Sequence, residues 1–154
     1  MLDSLKRIAN NARKLNRSRM IEQALSNSSI QQDIIALNTE DQLYDKGIRT
    51  DGTSLGEYAT STIEGGKNFL GKKQKGQRYD HITLSDTFEF YDSFKIKNQK
   101  EEFRIAADPI KNATTDLTDI YGDNIIGLTD ENIKKVAGWI LPMVQEKISE
   151  QLRK

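Results

Sequence analysis

The chain has 154 residues, with 23 Lys+Arg balanced by 23 Asp+Glu, one His and no Cys. Lack of Cys excludes a disulfide framework, thiolate metal sites and a cysteine nucleophile, and a single His excludes a site built on two imidazoles. Only 36% of residues are apolar, no run approaches the roughly 20 residues of a membrane span, and the N-terminus lacks a signal-peptide core.

The balanced charge is segregated along the chain. Residues 1–19 carry Lys6, Arg7, Arg13, Lys14, Arg17 and Arg19 against Asp3 alone, a net of +5. Leu2, Leu5, Ile8/Ala9, Ala12 and Leu15 recur at helical spacing there, so a basic amphipathic helix is expected over 1–26. Ser26–Ser29 interrupt it. Ser28 followed by Gln31 reads as a capping box. Ile30, Ile34, Leu37 and Tyr44 then mark one face of a second helix, stopped at Gly47.

Residues 47–78 hold seven of the ten glycines. They read as a long arm (47–80) of the kind that is functional or ordered by a partner. Asp51-Gly52 signals a turn. Leu55, Tyr58, Ile63, Phe69 and Leu70 are its apolar anchors. Residues 67–78 carry Lys67, Lys72, Lys73, Lys75 and Arg78 with no acid, a second net of +5, which leaves −10 for the remainder. Such segregation favours charge-complementary contacts between copies or with partners. Solvation of a helix and a loop explains it equally well.

His81–Leu84 is β-favouring. Ser85 or Asp86 is placed to cap a short helix carrying Phe90 and Phe94. Phe94–Lys97 and Phe103–Ile105 alternate around Asn98-Gln99-Lys100, the pattern of a hairpin with one buried face. A short helix is expected around Thr115–Ile120. Thr129 caps a long terminal helix whose apolar face runs Ile133, Val136/Ala137, Ile140, Val144, Ile148 and Leu152. Pro142 inside it predicts a kink. The whole reads as one α+β domain over 1–154. N-terminal helices and a long kinked C-terminal helix pack on a small antiparallel sheet or hairpin, with residues 81–154 contributing hairpin and helix.

Candidate chemistry is thin. Asp86, Glu89 and Asp92 share a helix face and suit a hard cation, but one helix rarely supplies enough oxygens. Asp80-His81 suggests an oriented base, with no nucleophile or oxyanion motif beside it. The stretch Gly66 to Lys72 has the P-loop glycine spacing, but Lys73 stands where the metal-binding hydroxyl is required. Asp45 to Gly52 lacks the calcium-loop ligand pattern. Phe88, Phe90, Tyr91 and Phe94 suit a core, or a base-stacking platform. For Trp139, burial and a subunit contact are both open. No catalytic, cofactor-binding or metal residue is assigned.

The order of short motifs is more specific. Leu43-Tyr44-Asp45-Lys46-Gly47 comes first, then Asp51 through Tyr58, then a threonine-containing basic loop ending at Lys75-Gly76-Gln77. Leu84-Ser85-Asp86-Thr87 runs on to Phe94 and a hairpin, and Ile126-Gly127-Leu128-Thr129-Asp130-Glu131 enters the last helix. This series, over about residues 43–153, resembles phage virion-morphogenesis proteins of the tail-completion type. Their pattern has glycine in "L.DTG.L..S" where Phe88 stands here, and tryptophan where Glu57 or Tyr58 stands. The resemblance implies a non-enzymatic virion protein without a cofactor, a tail-completion or neck/head–tail connector subunit. It would form a ring with itself and contact other neck or tail proteins, with DNA in a central channel as a further candidate partner and no membrane. The basic N-terminal helix would elaborate the family's first helix. Interface candidates are Tyr58, Lys67, Phe69, Lys72, Lys73, Lys75, Arg78, Glu101, Glu102 and Trp139, together with the basic N-terminal face. The main alternative is a nucleic-acid-binding accessory protein using 1–19 and 67–78. A small metal-dependent nuclease using His81, Asp86, Glu89 and Asp92 is a third.

Overall fold

The computed structural model describes residues 2–59, 78–99 and 102–154. The N-terminal segment is two helices, α1 (Leu2–Arg13) and α2 (Arg17–Leu25), in place of the single helix expected over 1–26. Asn16 makes the break. Its backbone is extended, and its side chain accepts from the Arg19 amide at 3.1 Å, which starts a new helix. Helix α3 (Ser28–Ala36) begins one residue earlier than the capping-box reading implies. Asn27 is the cap, accepting from the Ser29 and Ile30 amides. Gln31 reaches back instead to the Leu25 carbonyl at 3.0 Å, tying α3 to the end of α2.

Helix α3 runs directly into a widened helix with i→i+5 hydrogen bonding, Leu37–Lys46, which ends at Gly47 as expected. On an ordinary α-helix Ile34 and Leu43, nine residues apart, would face opposite sides at about 100° per residue. Widening to roughly 4.4 residues per turn swings Leu43 back towards Ile34, and both are fully buried. The same widening turns Asn38, Thr39 and Gln42 inward, and they too are buried. Of the face expected from Ile30, Ile34, Leu37 and Tyr44, Ile34 is fully buried and the other three are half-buried.

Those inward amides hold the segment that follows the short 3₁₀ turn Asp123–Ile125. Asn38 donates to the Ile125 carbonyl at 3.1 Å and accepts from the Gly127 amide at 2.7 Å. Gln42 donates to the Gly127 carbonyl at 2.9 Å and accepts from the Thr129 amide at 2.8 Å. Two side chains one turn apart thus serve alternate backbone groups as a neighbouring strand would. Asn132 completes the cluster, donating to Gln42 Oε1 and to Asp41 Oδ2, both at 2.9 Å.

Thr129 caps helix α6 (Asp130–Arg153) by accepting from the Asn132 amide. The helix is continuous through Pro142. Its buried face runs through Val136 and Ile140 as expected, with Val144, Ile148 and Leu152 half-buried along it, but at its start Asn132 takes the interior place expected for Ile133. Ile133 and Leu141 are left 48% and 58% exposed. Helix α6 packs on α2 and α1.

The remaining elements are short. Helix α4 is Glu89–Asp92, entered through Phe88 in a left-handed conformation (φ 60°) with no side-chain cap, so the caps expected at Ser85 or Asp86 do not form. Strands β1 (Lys95–Gln99) and β2 (Glu102–Ala106) form the expected antiparallel hairpin. Its inward face pairs Ile96 with Ile105 and Asn98 with Phe103. Strands β3 (Ile110–Lys111) and β4 (Thr115–Asp116) form a second, minimal ribbon. It leads into α5 (Leu117–Tyr121), capped by Asp116, close to the helix expected around Thr115–Ile120. His81–Leu84 is not a strand; Leu84 has φ 59°, and among the described residues the segment makes a single backbone–backbone bond, from the Ile82 amide to the Gly56 carbonyl. The architecture is α+β. Its core draws on every part of the described chain, from Leu25 and Ile34 through Leu55, Phe90, Phe94 and Ile105 to Leu117, Ile125 and Val136.

Gln42→Leu keeps the volume of the side chain and strands the Gly127 carbonyl and the Thr129 amide. Urea denaturation is expected to show a loss of about 3 kcal/mol, from buried groups worth roughly 1–3 kcal/mol each. A loss below about 1 kcal/mol would mean that the amides do not hold this segment.

Candidate interaction surfaces

Three polar ties join the segments that flank residues 60–77. The first is the turn after Gly47. Asp51 accepts from the Thr53 amide and hydroxyl at 2.9 and 2.6 Å, and the Arg49 amide donates to the Thr53 carbonyl. This builds the turn expected at Asp51-Gly52. Arg49 Nε donates to the Tyr121 carbonyl at 2.6 Å, and Asn124 donates to Asp51 at 3.1 Å, so the turn is bound to the end of α5. The second tie is a buried hydroxyl cluster. Tyr58 Oη bonds Thr83 Oγ1 and accepts from the Thr83 amide, both at 3.2 Å. Thr83 Oγ1 lies 2.8 Å from Ser85 Oγ, and Tyr91 donates to the Thr83 carbonyl. Burial pushes the Tyr91 hydroxyl far above its ordinary range.

The third tie is His81. Its Nε2 lies 2.7 Å from the Tyr44 carbonyl at the end of the widened helix, and since a carbonyl only accepts, this nitrogen carries the hydrogen. Nδ1 lies 3.2 Å from Asp80. The ring sits flat against Gly47, where an added Cβ would meet His81 Cδ2 at 2.3 Å. Gly47 is therefore required twice, by its φ of +59° and by this contact. Arg78 forks onto Asp80 at 3.1 and 2.9 Å and lies 3.6 Å from Asp45. That guanidinium holds the Asp80 carboxyl well below the usual carboxylate range. Both nitrogens of His81 are thus engaged within the chain, which is a positioning arrangement.

The expected interface residues fall into different environments. Lys67, Phe69, Lys72, Lys73, Lys75 and Glu101 lie outside the described residues, as do Ile63 and Leu70. Tyr58 and Arg78 are engaged in the ties above. Trp139 is half-buried against the core, and Glu102 is exposed at the hairpin end. Of the acidic trio, Asp86 pairs with Lys111, while Glu89 and Asp92 are exposed. Among the described residues no group of three or more His, Asp or Glu is arranged to hold a metal. Of the aromatics, Phe90 and Phe94 are core residues in edge contact with centroids 5.0 Å apart, while Phe88 is 45% exposed.

The basic N-terminal face is different. Lys6, Arg7, Arg13, Lys14, Arg17 and Arg19 are all exposed. Among the described residues none of them forms an ion pair. Leu5 and Ile8 of α1 are 60% and 42% exposed. An acidic counterpart surrounds α5. Asp119 and Asp123 are exposed on either side of Ile120, itself 60% exposed. The charges of both faces are plain from counting, whereas the exposure of Ile120 follows from the packing of α5 and has no signal in the sequence.

The chain matches no protein-family model, no curated protein and no solved structure.

Gly47→Ala is expected to cost about 2–4 kcal/mol, combining left-handed strain with the clash. In a His81→Ala background at least about 1 kcal/mol of that cost should disappear. Strictly additive costs in thermal or urea unfolding would show that the ring is not seated on Gly47. A second test concerns Asp41. Burial raises its pKa, but the Asn132 amide and Lys46 ammonium outweigh this and hold the carboxyl below its ordinary value. A depressed folded-state pKa stabilises above the unfolded value of about 4, and the contribution is lost as pH falls through the folded value. The stability difference between wild type and Asp41→Asn should therefore be flat above about pH 5 and close at lower pH. A gap that widens on acidification would reverse the assignment.

Proposed function

We propose that this protein is a structural virion component of a tailed phage, a tail-completion or neck/head–tail connector subunit that assembles into a ring. The observation carrying the reading is the state of Phe88. It stands where the tail-completion pattern has glycine, and it holds the left-handed backbone (φ 60°) that glycine adopts without strain. A left-handed residue at this place is one that a glycine in the pattern would serve, and this supports the reading. Other motifs of the resemblance are tied into one frame, directly or through residues beside them. The Leu55 amide donates to the Gly47 carbonyl, Tyr58 and Tyr91 both bond Thr83, Gly47 and Tyr44 meet His81, and Asp51 meets Asn124. Motifs that build a frame suit a protein whose work is to be a rigid part.

An assembly role also suits the surface. Rings use heterologous contacts, in which one patch meets a different patch on the next subunit. A basic apolar face on α1 and an acidic apolar face on α5 are two such patches.

The exposed, unpaired cations of residues 6–19 favour a second reading, binding to nucleic-acid phosphate. The two readings separate cleanly. If the protein is a ring subunit, the full chain should elute as an oligomer in light scattering and be detected in purified phage particles. A monomer absent from particles, whose affinity for duplex DNA falls steeply with salt, would replace the ring with the accessory role.

A further inference from the structure

We propose that the exposed basic face of α1 docks on the acidic face of α5 in a second copy of this chain. The proposal rests on the ring reading above and names the contact that closes it.

Among the described residues neither face forms an ion pair, and each has what the other lacks. On α1, Leu5 and Ile8 are 60% and 42% exposed, beside Lys6 and Arg7. Helix α1 also contacts α6, yet these two side chains stay in solvent. On α5, Ile120 is 60% exposed between Asp119 and Asp123. Asp116, four residues before Ile120, is committed to Thr118 as the helix cap, which leaves Asp119 and Asp123 as the acids open to a partner. Lys111, the one cation of the adjoining ribbon, is already paired with Asp86 and does not neutralise them.

The occupant follows from these chemistries. A nucleic acid would engage the cations of α1 but leave Leu5 and Ile8 wet. A protein surface with an apolar centre and an acidic rim covers both, and this chain carries one. Each copy both gives α1 and receives it, head to tail around a ring; a reciprocal exchange between two copies would use the same contact, so a mass of two copies would keep the contact and overturn the ring. Apolar area supplies the non-directional part of the affinity, and the opposite charges set orientation and encounter rate. The charged part is exposed, so salt screens it.

The test is a charge exchange in the full-length protein, read by analytical ultracentrifugation at low salt. One variant carries Lys6→Glu and Arg7→Glu, another Asp119→Lys and Asp123→Lys, and a third carries all four. All four positions are exposed, and circular dichroism checks that each variant is folded. Each single-face variant should self-associate at least about tenfold more weakly than wild type. The four-fold variant should recover association, as should a mixture of the two single-face variants. An assembling wild type unaffected by either reversal overturns this contact and leaves the ring reading in place. Loss in both single-face variants without recovery in the four-fold variant overturns the pairing of these two faces. A wild type that stays monomeric at every concentration removes both the contact and the ring. Loss of DNA affinity on α1 reversal, with assembly intact, assigns α1 to phosphate and overturns the proposal.

Discussion

The structure depends on one requirement: the segment from Ile125 to Thr129 is buried without a β-partner among the described residues. Its peptide groups must still be satisfied, since an orphaned buried amide or carbonyl costs roughly 1–3 kcal/mol. Asn38 and Gln42 meet that need from a helix. Four residues apart, the two amides share one face of the helix, and its widening over Leu37–Lys46 brings Leu43 onto the buried side together with Ile34. An i→i+5 helix is intrinsically unfavourable over such a length. Here its cost is offset by the burial it permits. Everything C-terminal inherits the result. The Thr129 amide is held by Gln42, Thr129 caps α6, and α6 carries α1 and α2.

This cluster also explains which parts of the fold were legible beforehand. Local signals with a local mechanism read correctly. Gly47 stops its helix, Asp51-Gly52 turns, Thr129 caps, and alternation around Asn98 makes a hairpin. Failures came where a polar residue took a core position. Helix α6 was oriented by its apolar residues, and the expected face included Ile133. Asn132 occupies that interior place because Gln42 and Asp41 await its amide 90 residues away in sequence. Periodicity counts hydrophobicity and cannot register a buried amide whose partners are distant. The break at Asn16 was missed for a simpler reason. The apolar spacing runs on through Leu15, while the capping oxygen that interrupts it is a single side chain.

The interaction surfaces were half legible. Charge segregation is a matter of counting and is plain in the sequence. Whether a charge is available is a matter of packing. Arg78 and Lys6 look alike as basic residues in basic stretches. Arg78 is spent on Asp80 and Asp45 and ties the chain down, whereas Lys6 faces solvent. Tyr58 looked like an anchor for a neighbour and proves to be an anchor for Thr83. The 47–80 arm is likewise not uniform. Its first part is a tight, bonded turn with Leu55 in the core.

The ion pairs show how a net charge of zero can serve assembly. Lys46, Arg78 and Lys111 pair across segments, with Glu131, Asp45 and Asp86, while Lys135 pairs with Glu131 within α6. Among the described residues the cations of residues 6–19 form no ion pair with an acid, and Asp119 and Asp123 form none with a cation. A chain that neutralised itself throughout would have no directional preference for a neighbour. A chain with one sign in excess would repel its own copies. Neutrality of the whole, with a cationic face and an anionic face that are unpaired among the described residues, is the distribution under which identical subunits attract where α1 of one meets α5 of another and resist arrangements that set like face on like face.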